Sequence, residues 1–109
     1  MNYNVSSISV FDKQAKRLCK KYPSLKNDLS ELIESLGANP QQGKALGNNF
    51  YKIRLSITSK GKGKSGGARV ITFVKIVKTT VYLSSIYDKS EKITISDDDL
   101  DKILNLIPE

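Results

Sequence analysis

The sequence predicts an α+β fold in a single domain spanning residues 1–109, with an antiparallel β-sheet, an N-terminal pair of helices and a C-terminal helix. Three observations favour this class. Apolar residues first recur with the period of a helix, then alternate at the period of a strand, and return to helical spacing in the tail. Pro23 interrupts the helical part, and glycine-containing segments separate the strand-like parts. The predicted element order is β-αα-βββ-α.

The first predicted elements are a short strand and an αα-hairpin. Imperfect alternation over residues 3–11 predicts the strand, and Asp12 is expected to cap the first helix. The second helix is expected to begin at Ser24, after the break at Pro23, and to end at Gly37. The apolar positions of each helix share one face: Ala15, Leu18, Cys19 and Tyr22 in the first, and Leu25, Leu29, Leu32, Ile33 and Leu36 in the second.

Three further strands are predicted after a loop over residues 39–49. The chain then alternates, which places Lys52 and Arg54 on the face opposite to the apolar side chains. Residues 68–77 and 80–87 are rich in β-branched and aromatic side chains, so they form the next two strands of an antiparallel meander.

The tail predicts a final helix. Ser96 is a typical N-cap, and the aspartates at 97–99 lie in the first turn, where the helix dipole favours negative charge. Clustered carboxylates also occur in metal sites, but the capping role explains them without further assumption. No metal or cofactor is predicted.

Composition limits the functions that this chain can have. There is no histidine, which excludes a Ser-His or Cys-His nucleophile pair and a zinc site with imidazole ligands. Cys19 is the single cysteine, so no internal disulfide forms and a reducing cytoplasm is expected. No segment approaches the roughly 20 apolar residues of a membrane span, and the N-terminus does not resemble a signal peptide.

Positive charge is concentrated in the middle of the chain. The net formal charge is +7, yet no acidic residue lies between Ser35 and Tyr87. The nine basic residues of this stretch are Lys44, Lys52, Arg54, Lys60, Lys62, Lys64, Arg69, Lys75 and Lys78. A long block of one sign indicates a phosphate-rich partner, with nucleic acid ahead of a membrane surface.

Three of these cations are expected to converge. Period two places Lys52 and Arg54 on one sheet face, and Arg69 opens the neighbouring antiparallel strand. Such a patch can bind a phosphate and stabilise the extra charge of a phosphorane-like transition state. The alternative is a solvated sheet face that carries charges without a function.

Two other features are candidates for RNA binding or catalysis. The loop over residues 60–64 places Lys60, Lys62 and Lys64 on a flexible tether that suits an RNA backbone, or that keeps a disordered hairpin soluble. Tyr87 ends the last strand, where nearby cations would lower the pKa of its phenol and allow it to act as a base. A buried structural tyrosine is the alternative.

Residues 3 to about 95 resemble the RelE/ParE superfamily of bacterial type II toxins, and most closely the RelE-like HigB toxins. The resemblance rests on three runs: Tyr51-Lys-Ile-Arg-Leu55, Lys60-Gly-Lys-Gly-Lys-Ser-Gly-Gly-Ala-Arg-Val-Ile71, and Val81-Tyr-Leu-Ser-Ser-Ile-Tyr-Asp-Lys-Ser-Glu91. The Gly-Lys-Gly-Lys-x-Gly-Gly-x-Arg segment is the most distinctive. The order of elements also matches that family's fold.

The resemblance implies a metal-independent endoribonuclease that cuts mRNA in the ribosomal A site, inhibits translation and is silenced by a cognate antitoxin. The RNA 2′-hydroxyl would attack the adjacent phosphorus. Lys52 and Arg54 match basic residues that bind the scissile phosphate, and Arg69 matches the main transition-state stabiliser. Lys89 matches a residue that stabilises the leaving group, and Tyr87 is the nearest match to a catalytic phenol.

One alternative within the superfamily is a ParE-like toxin that poisons DNA gyrase without nuclease activity. A phosphate clamp is not needed for that function, so the joint presence of Lys52, Arg54, Arg69 and Lys89 favours the nuclease. An RNA-binding module without activity is a further alternative. Inhibition is expected from an acidic or amphipathic antitoxin segment that covers the basic face or displaces the C-terminal helix.

Overall fold

The computed structural model describes residues 2–61, 63, 66–92 and 94–109. In this part of the chain, five strands form one sheet: β1 (Asn4–Ser7), β2 (Lys44–Gly47), β3 (Phe50–Leu55), β4 (Ala68–Lys75) and β5 (Thr80–Asp88). Three α-helices accompany it: α1 (Ser9–Lys21), α2 (Leu25–Ala38) and α3 (Asp97–Leu104). The predicted α+β class is confirmed. None of these helices is long and apolar enough to cross a bilayer.

The sheet is mixed and not wholly antiparallel. Its strand order is β1-β5-β4-β3-β2, and β1 pairs in parallel with β5 through the register Val5↔Val81. The remaining neighbours are antiparallel, as predicted. Parallel pairing was not expected because it depends on a contact between the two ends of the chain, which alternation within one strand does not reveal.

The helical hairpin departs from the prediction at two ends. Helix α1 begins at Ser9, since Ile8 and Phe11 are buried at helical spacing, and Asp12 accepts a hydrogen bond from Ser7 Oγ at 2.6 Å inside the first turn. Helix α2 continues past Gly37 to Ala38. Gly37 is a contact point for the N-terminus, because its carbonyl accepts from Tyr3 N at 2.8 Å. The predicted break at Pro23 is confirmed.

The predicted loop over residues 39–49 contains strand β2. A two-residue turn of Asn48 and Asn49 joins β2 to β3, and both residues have left-handed φ angles, of 52° and 66°. This is the geometry of a type I′ hairpin turn, which asparagine tolerates. The Asn-Asn pair between Leu46 and Phe50 was therefore the missed signal.

Strand β4 ends at Lys75, two residues earlier than predicted. Residues 76–78 form a 3-10 turn in which Val77 is 88% exposed, so its β-branched side chain does not extend the strand. Thr79 adopts a φ of 45° to complete the reversal into β5. The β-propensity of Ile76 and Val77 is overridden here by the turn.

The two faces of the sheet have different coverings. Asp88, on the same face as Ile86, accepts a hydrogen bond from Tyr22 between the two helices, so α1 and α2 cover this face. Lys75 lies on the other face and donates to Pro108 O at 2.7 Å, which places the C-terminal segment there. Ser96 caps α3 as predicted, accepting from Asp99 N at 3.1 Å, and Leu100 and Ile103 are buried.

Candidate active site

Three adjacent strands carry a row of polar side chains on one face of the sheet. Arg54 on β3 pairs with Arg69 on β4, and Arg69 pairs with Tyr87 on β5. Residues directly opposite each other in antiparallel strands share a face, with Cβ atoms about 5 Å apart. Lys52 lies two residues along β3 and so joins this face. Lys52, Arg54 and Arg69 thus share one sheet face, as expected, and the joining of their charged groups in one phosphate site stays a prediction.

Arg69 is held firmly in place. Its side chain belongs to a residue that is only 4% exposed, and Nη1 donates to Ala68 O at 3.1 Å. A guanidinium fixed by its surroundings needs little reorganisation when negative charge develops beside it. Arg69 is therefore the most preorganised cation of the row.

Arg54 and Lys52 are more accessible. Among the described residues neither forms an ion pair within 4.0 Å, whereas Arg17, Lys21, Lys60 and Lys92 do. Both line a cleft of about 420 Å³ at the outer edge of β3. Cations without carboxylate partners beside an open cleft are available to an anion from solution.

Tyr87 does not have the properties expected of a base. Burial raises the pKa of its phenol, and the opposing effects of Arg69 and Thr94 are smaller. The hydroxyl is buried and, in the described part of the chain, has no hydrogen-bond partner of normal geometry, although Thr94 is near enough to favour the phenolate. The predicted lowering of this pKa is therefore wrong, because removal from water outweighs the charge of Arg69.

Lys89 follows the end of β5 and is exposed. Its backbone N–H donates to Gly67 O at 3.1 Å, which ties it to the residue before β4. Lys89 and Lys60 line a shallow cleft of about 240 Å³ with Gly66 and Ser90. The structure thus places Lys89 at the margin of the Arg69–Tyr87 row and not within it.

Lys60 is anchored and not flexibly tethered, contrary to the prediction. Its ammonium lies 3.0 Å from Asp88 Oδ1, and its side chain is only 12% exposed. Burial works against the charged amine, but the hydrogen bond and the charge of Asp88, with Tyr22, raise the pKa of Lys60 overall. The other two lysines of this loop, Lys62 and Lys64, lie outside the described residues.

Asp88 is buried at the centre of a hydrogen-bond cluster with Tyr22, Lys60 and Ser90, and sequence reasoning did not identify it as a site residue. It accepts hydrogen bonds from the Tyr22 hydroxyl, from Lys60, and from Ser90 N and Oγ at 2.9 and 2.8 Å. Burial opposes ionisation, but these donors hold the pKa of Asp88 well below its usual range. An aspartate that bonds the backbone two residues on is typical of an Asx-turn, so Asp88 with Ser90 was the available signal.

The stem of the basic loop is fixed at a second point. Asp28 on α2 accepts from Thr58 N at 3.0 Å and from Thr58 Oγ1 at 2.7 Å, and Ser24 Oγ accepts from Ser59 N at 2.8 Å. The start of this loop is therefore attached to the helical layer through residues 58–60. In the described residues, no group of three or more histidine, cysteine or carboxylate side chains is arranged to hold a metal ion.

Together, the fold and the cationic row define a small α+β protein that presents a positively charged sheet face. A double-arginine mutant of the E. coli toxin RelE in the free state has this fold, with a TM-score of 0.67 at 18% identity over 99% of this chain and 100% of that one. A chain of the intact E. coli RelBE toxin–antitoxin complex gives a TM-score of 0.51 at 25% identity over 79% of this chain and 95% of that one. A metal-bound toxin from Helicobacter pylori gives 0.53 at 19% over 83% and 98%.

Sequence comparison gives the family. The profile described as the RelE toxin of the RelE/RelB toxin–antitoxin system matches residues 9–107, which is most of the chain. The chain therefore belongs to this family of toxins. The predicted relationship to the RelE/ParE superfamily is confirmed, and the match extends beyond the predicted limit near residue 95 to include α3.

Proposed function

We propose that this protein is the toxin of a type II toxin–antitoxin system and that it cleaves translated mRNA in the ribosomal A site, which stops translation and growth. The observation that carries the proposal is the alignment of Arg54 and Arg69 as cross-strand partners, beside Lys52, in a chain of the RelE toxin family. This arrangement places two guanidinium groups next to each other on one sheet face, with the Lys52 ammonium two residues further along β3.

The chemistry that suits this arrangement is an attack by the RNA itself. The 2′-oxygen forms a bond to the adjacent phosphorus, the bond from phosphorus to the 5′-oxygen breaks, and the products are a 2′,3′-cyclic phosphate and a 5′-hydroxyl. The proton lost by the 2′-hydroxyl passes to solvent or base, and the 5′-oxygen gains one. Neither step needs a metal or a cofactor.

Each side chain has a distinct role in this proposal. Arg54 and Lys52 bind the scissile phosphate and its neighbour from the open cleft, while Arg69 stabilises the extra charge of the transition state. The position of Lys89, beside Gly67 at the margin of the row, suits the leaving 5′-oxygen.

Tyr87 is assigned the role of a neutral hydrogen-bond donor and not of a base. Its raised pKa keeps the phenol protonated at neutral pH, so it can donate to a phosphate oxygen once the RNA is in place. Lys92, whose ammonium lies 5.5 Å from the centre of the Tyr87 ring, and Thr94 cover this tyrosine in the free protein. The segment after β5 therefore has to move before the Tyr87 hydroxyl can contact the RNA phosphate.

A cognate antitoxin is the partner that this proposal requires. The E. coli relative is known in a complex of toxin with antitoxin. The cations of β3, which form no ion pair among the described residues, favour an acidic segment. The C-terminal segment that includes the end of α3 is a second candidate surface, because Leu104 and Leu106 are 38% and 52% exposed. An antitoxin segment is expected to cover the cationic row or to displace α3.

Primer extension on a reporter mRNA tests the proposal, with purified protein, with and without translating ribosomes. Cuts in register with codons, seen only with ribosomes and lost in Arg69→Ala, are expected; Lys26→Ala, an exposed change on α2, is the matched control and should cut normally. No cleavage under either condition would refute the nuclease and leave the gyrase alternative, for which a supercoiling assay is decisive. Equal cleavage of naked RNA would show that the ribosome is not required.

A further inference from the structure

The β2–β3 hairpin adds a cation to the sheet face that the family resemblance did not include. Lys44 on β2 is the direct cross-strand partner of Lys52 on β3, so both side chains lie on the face of Arg54. Lys44 is exposed and lines the same cleft of about 420 Å³ as Lys52 and Arg54. Two lysines directly opposite each other repel unless an anion lies between them.

Gly43 is the reason that Lys44 reaches this position. Its φ is +96°, and a Cβ at Gly43 would lie 2.5 Å from Lys52 O and 2.8 Å from Ile53 Cγ1. Only glycine allows the chain to approach β3 this closely with this backbone conformation. The close approach places the start of β2, and with it Lys44, against the cationic part of β3.

The charges around the cleft favour one path for a bound polyanion. In the described residues, Lys44, like Lys52 and Arg54, forms no ion pair within 4.0 Å. Beyond Arg54, along the open edge of β3, a second cleft of about 300 Å³ is lined by Asp28 and Glu31 of α2. A polyanion that leaves Arg54 is therefore repelled by α2 and attracted towards Lys44.

We infer that Lys44 and Lys52 form a second phosphate subsite, which binds the RNA backbone one phosphate away from the group held by Arg54 and Arg69. Lys52 and Arg54 are two residues apart on one strand, a distance of about 6.8 Å, which is close to the separation of successive phosphates in an extended strand. The inference rests on the proposed function, because it assigns the path of the substrate RNA across the same face. The ligand is substrate RNA, and ribosomal RNA is the competing source of the same phosphate chemistry.

The test is the salt dependence of RNA binding. The probe is a short fluorescent single-stranded RNA with 2′-O-methyl groups that prevent cleavage, and the variant is Lys44→Gln, with Lys26→Gln on α2 as the matched control. Losing one phosphate contact should reduce the slope of log affinity against log salt by about 0.7. The affinity ratio of wild type to variant should then fall by about 2.6-fold between about 50 and 200 mM salt. Equal slopes would overturn the inference.

Two further arms locate the contact. A 2′-O-methyl dinucleotide has only one phosphate and cannot span both subsites, so Lys44→Gln should weaken its binding less than that of the longer RNA, and an equal loss for both ligands would contradict a separate second subsite. Gly43→Ala keeps the lysine but displaces it, and it should show the same reduced slope as Lys44→Gln. Circular dichroism would establish that both variants are folded.

Two other measurements distinguish substrate RNA from ribosomal RNA, and failure of the subsite from failure of the proposed function. If Lys44→Gln weakens binding to empty ribosomes but not to the oligonucleotide, the contact is to ribosomal RNA and the substrate subsite is wrong. On programmed ribosomes, Lys44→Gln should raise KM with kcat little changed. If the wild-type protein does not cleave the message, the proposed nuclease activity is refuted. The salt slopes measured with the oligonucleotide would still decide whether the second phosphate subsite exists.

Discussion

Replacing Asp88 with asparagine should strongly destabilise the fold, because Asp88 has no exposed surface and receives its hydrogen bonds from four donor groups. Asparagine keeps the shape but removes the charge, which leaves the Lys60 ammonium next to a neutral amide while its side chain is only 12% exposed. Breaking a buried ion pair on one side typically costs 3–5 kcal/mol, and we expect about 3 kcal/mol. The lower value is used because the second cation near Asp88, Lys21 at 4.0 Å, is half exposed and stays solvated when the carboxylate is lost.

The assay is urea unfolding followed by circular dichroism. Thermal unfolding gives a second measure, because a loss of about 3 kcal/mol should lower the melting temperature by roughly 12 °C for a domain of this size. Asp101→Asn, at an exposed position of α3, is the matched control and should change the free energy of unfolding by less than about 0.5 kcal/mol. Adding Lys60→Met to Asp88→Asn should recover part of the loss, because neither charge is then left unpaired.

The pH dependence gives an independent check. The folded-state pKa of Asp88 is lowered from an ordinary value of 3.8, so its charge stabilises the fold above that pH, and the stabilisation is lost as the pH falls below it. The difference in free energy of unfolding between wild type and Asp88→Asn should therefore shrink in acid. A difference below about 1 kcal/mol at neutral pH, or one that stays constant in acid, would refute the role given to the buried carboxylate.

Three other variants give separate expectations. Arg69→Ala should slow cleavage on programmed ribosomes by about 10²–10³-fold, since a preorganised transition-state donor is worth roughly 3–4 kcal/mol, and a smaller loss than tenfold in single-turnover rate would contradict its role. Tyr87→Phe should lower the rate without altering the pH profile across the neutral range, because the raised pKa keeps the phenol protonated; a lost limb in that profile would show that Tyr87 is a base after all. Ser96→Ala should cost about 1 kcal/mol in thermal unfolding through the lost cap of α3, and an unchanged melting temperature would mean that α3 unfolds separately.

Local chemistry made much of the fold predictable. The break at Pro23 and the cap at Ser96 are encoded within a few residues, so both helix boundaries follow from the sequence. Period two on β3 also placed Lys52 and Arg54 on one face, and the strong β-propensity after residue 67 predicted the neighbouring strand that begins with Ala68 and Arg69. The core of the candidate site could therefore be predicted before any coordinates.

The remaining features depend on contacts between distant parts of the chain. Asp88 became the partner of Lys60 because β5 and the turn before the basic loop meet at the junction of α1 and α2. Burial of Tyr87 depends on the segment that follows β5, which reverses the expected direction of its pKa shift. Pairing of β1 with β5 and of Lys44 with Lys52 likewise depends on tertiary register and not on local pattern.

The central claim is that the Arg54–Arg69 pair stabilises an attack by the RNA 2′-hydroxyl, and the most direct measurement uses an mRNA with a single 2′-deoxynucleotide at the cleaved position. Wild-type protein on ribosomes programmed with the unmodified message should produce a 2′,3′-cyclic phosphate and a 5′-hydroxyl end. The deoxy message should remain intact while it still binds the protein. Cleavage of the deoxy message at the same bond, or the appearance of a 5′-phosphate end, would contradict the mechanism, because the attacking oxygen would then come from water and not from the RNA.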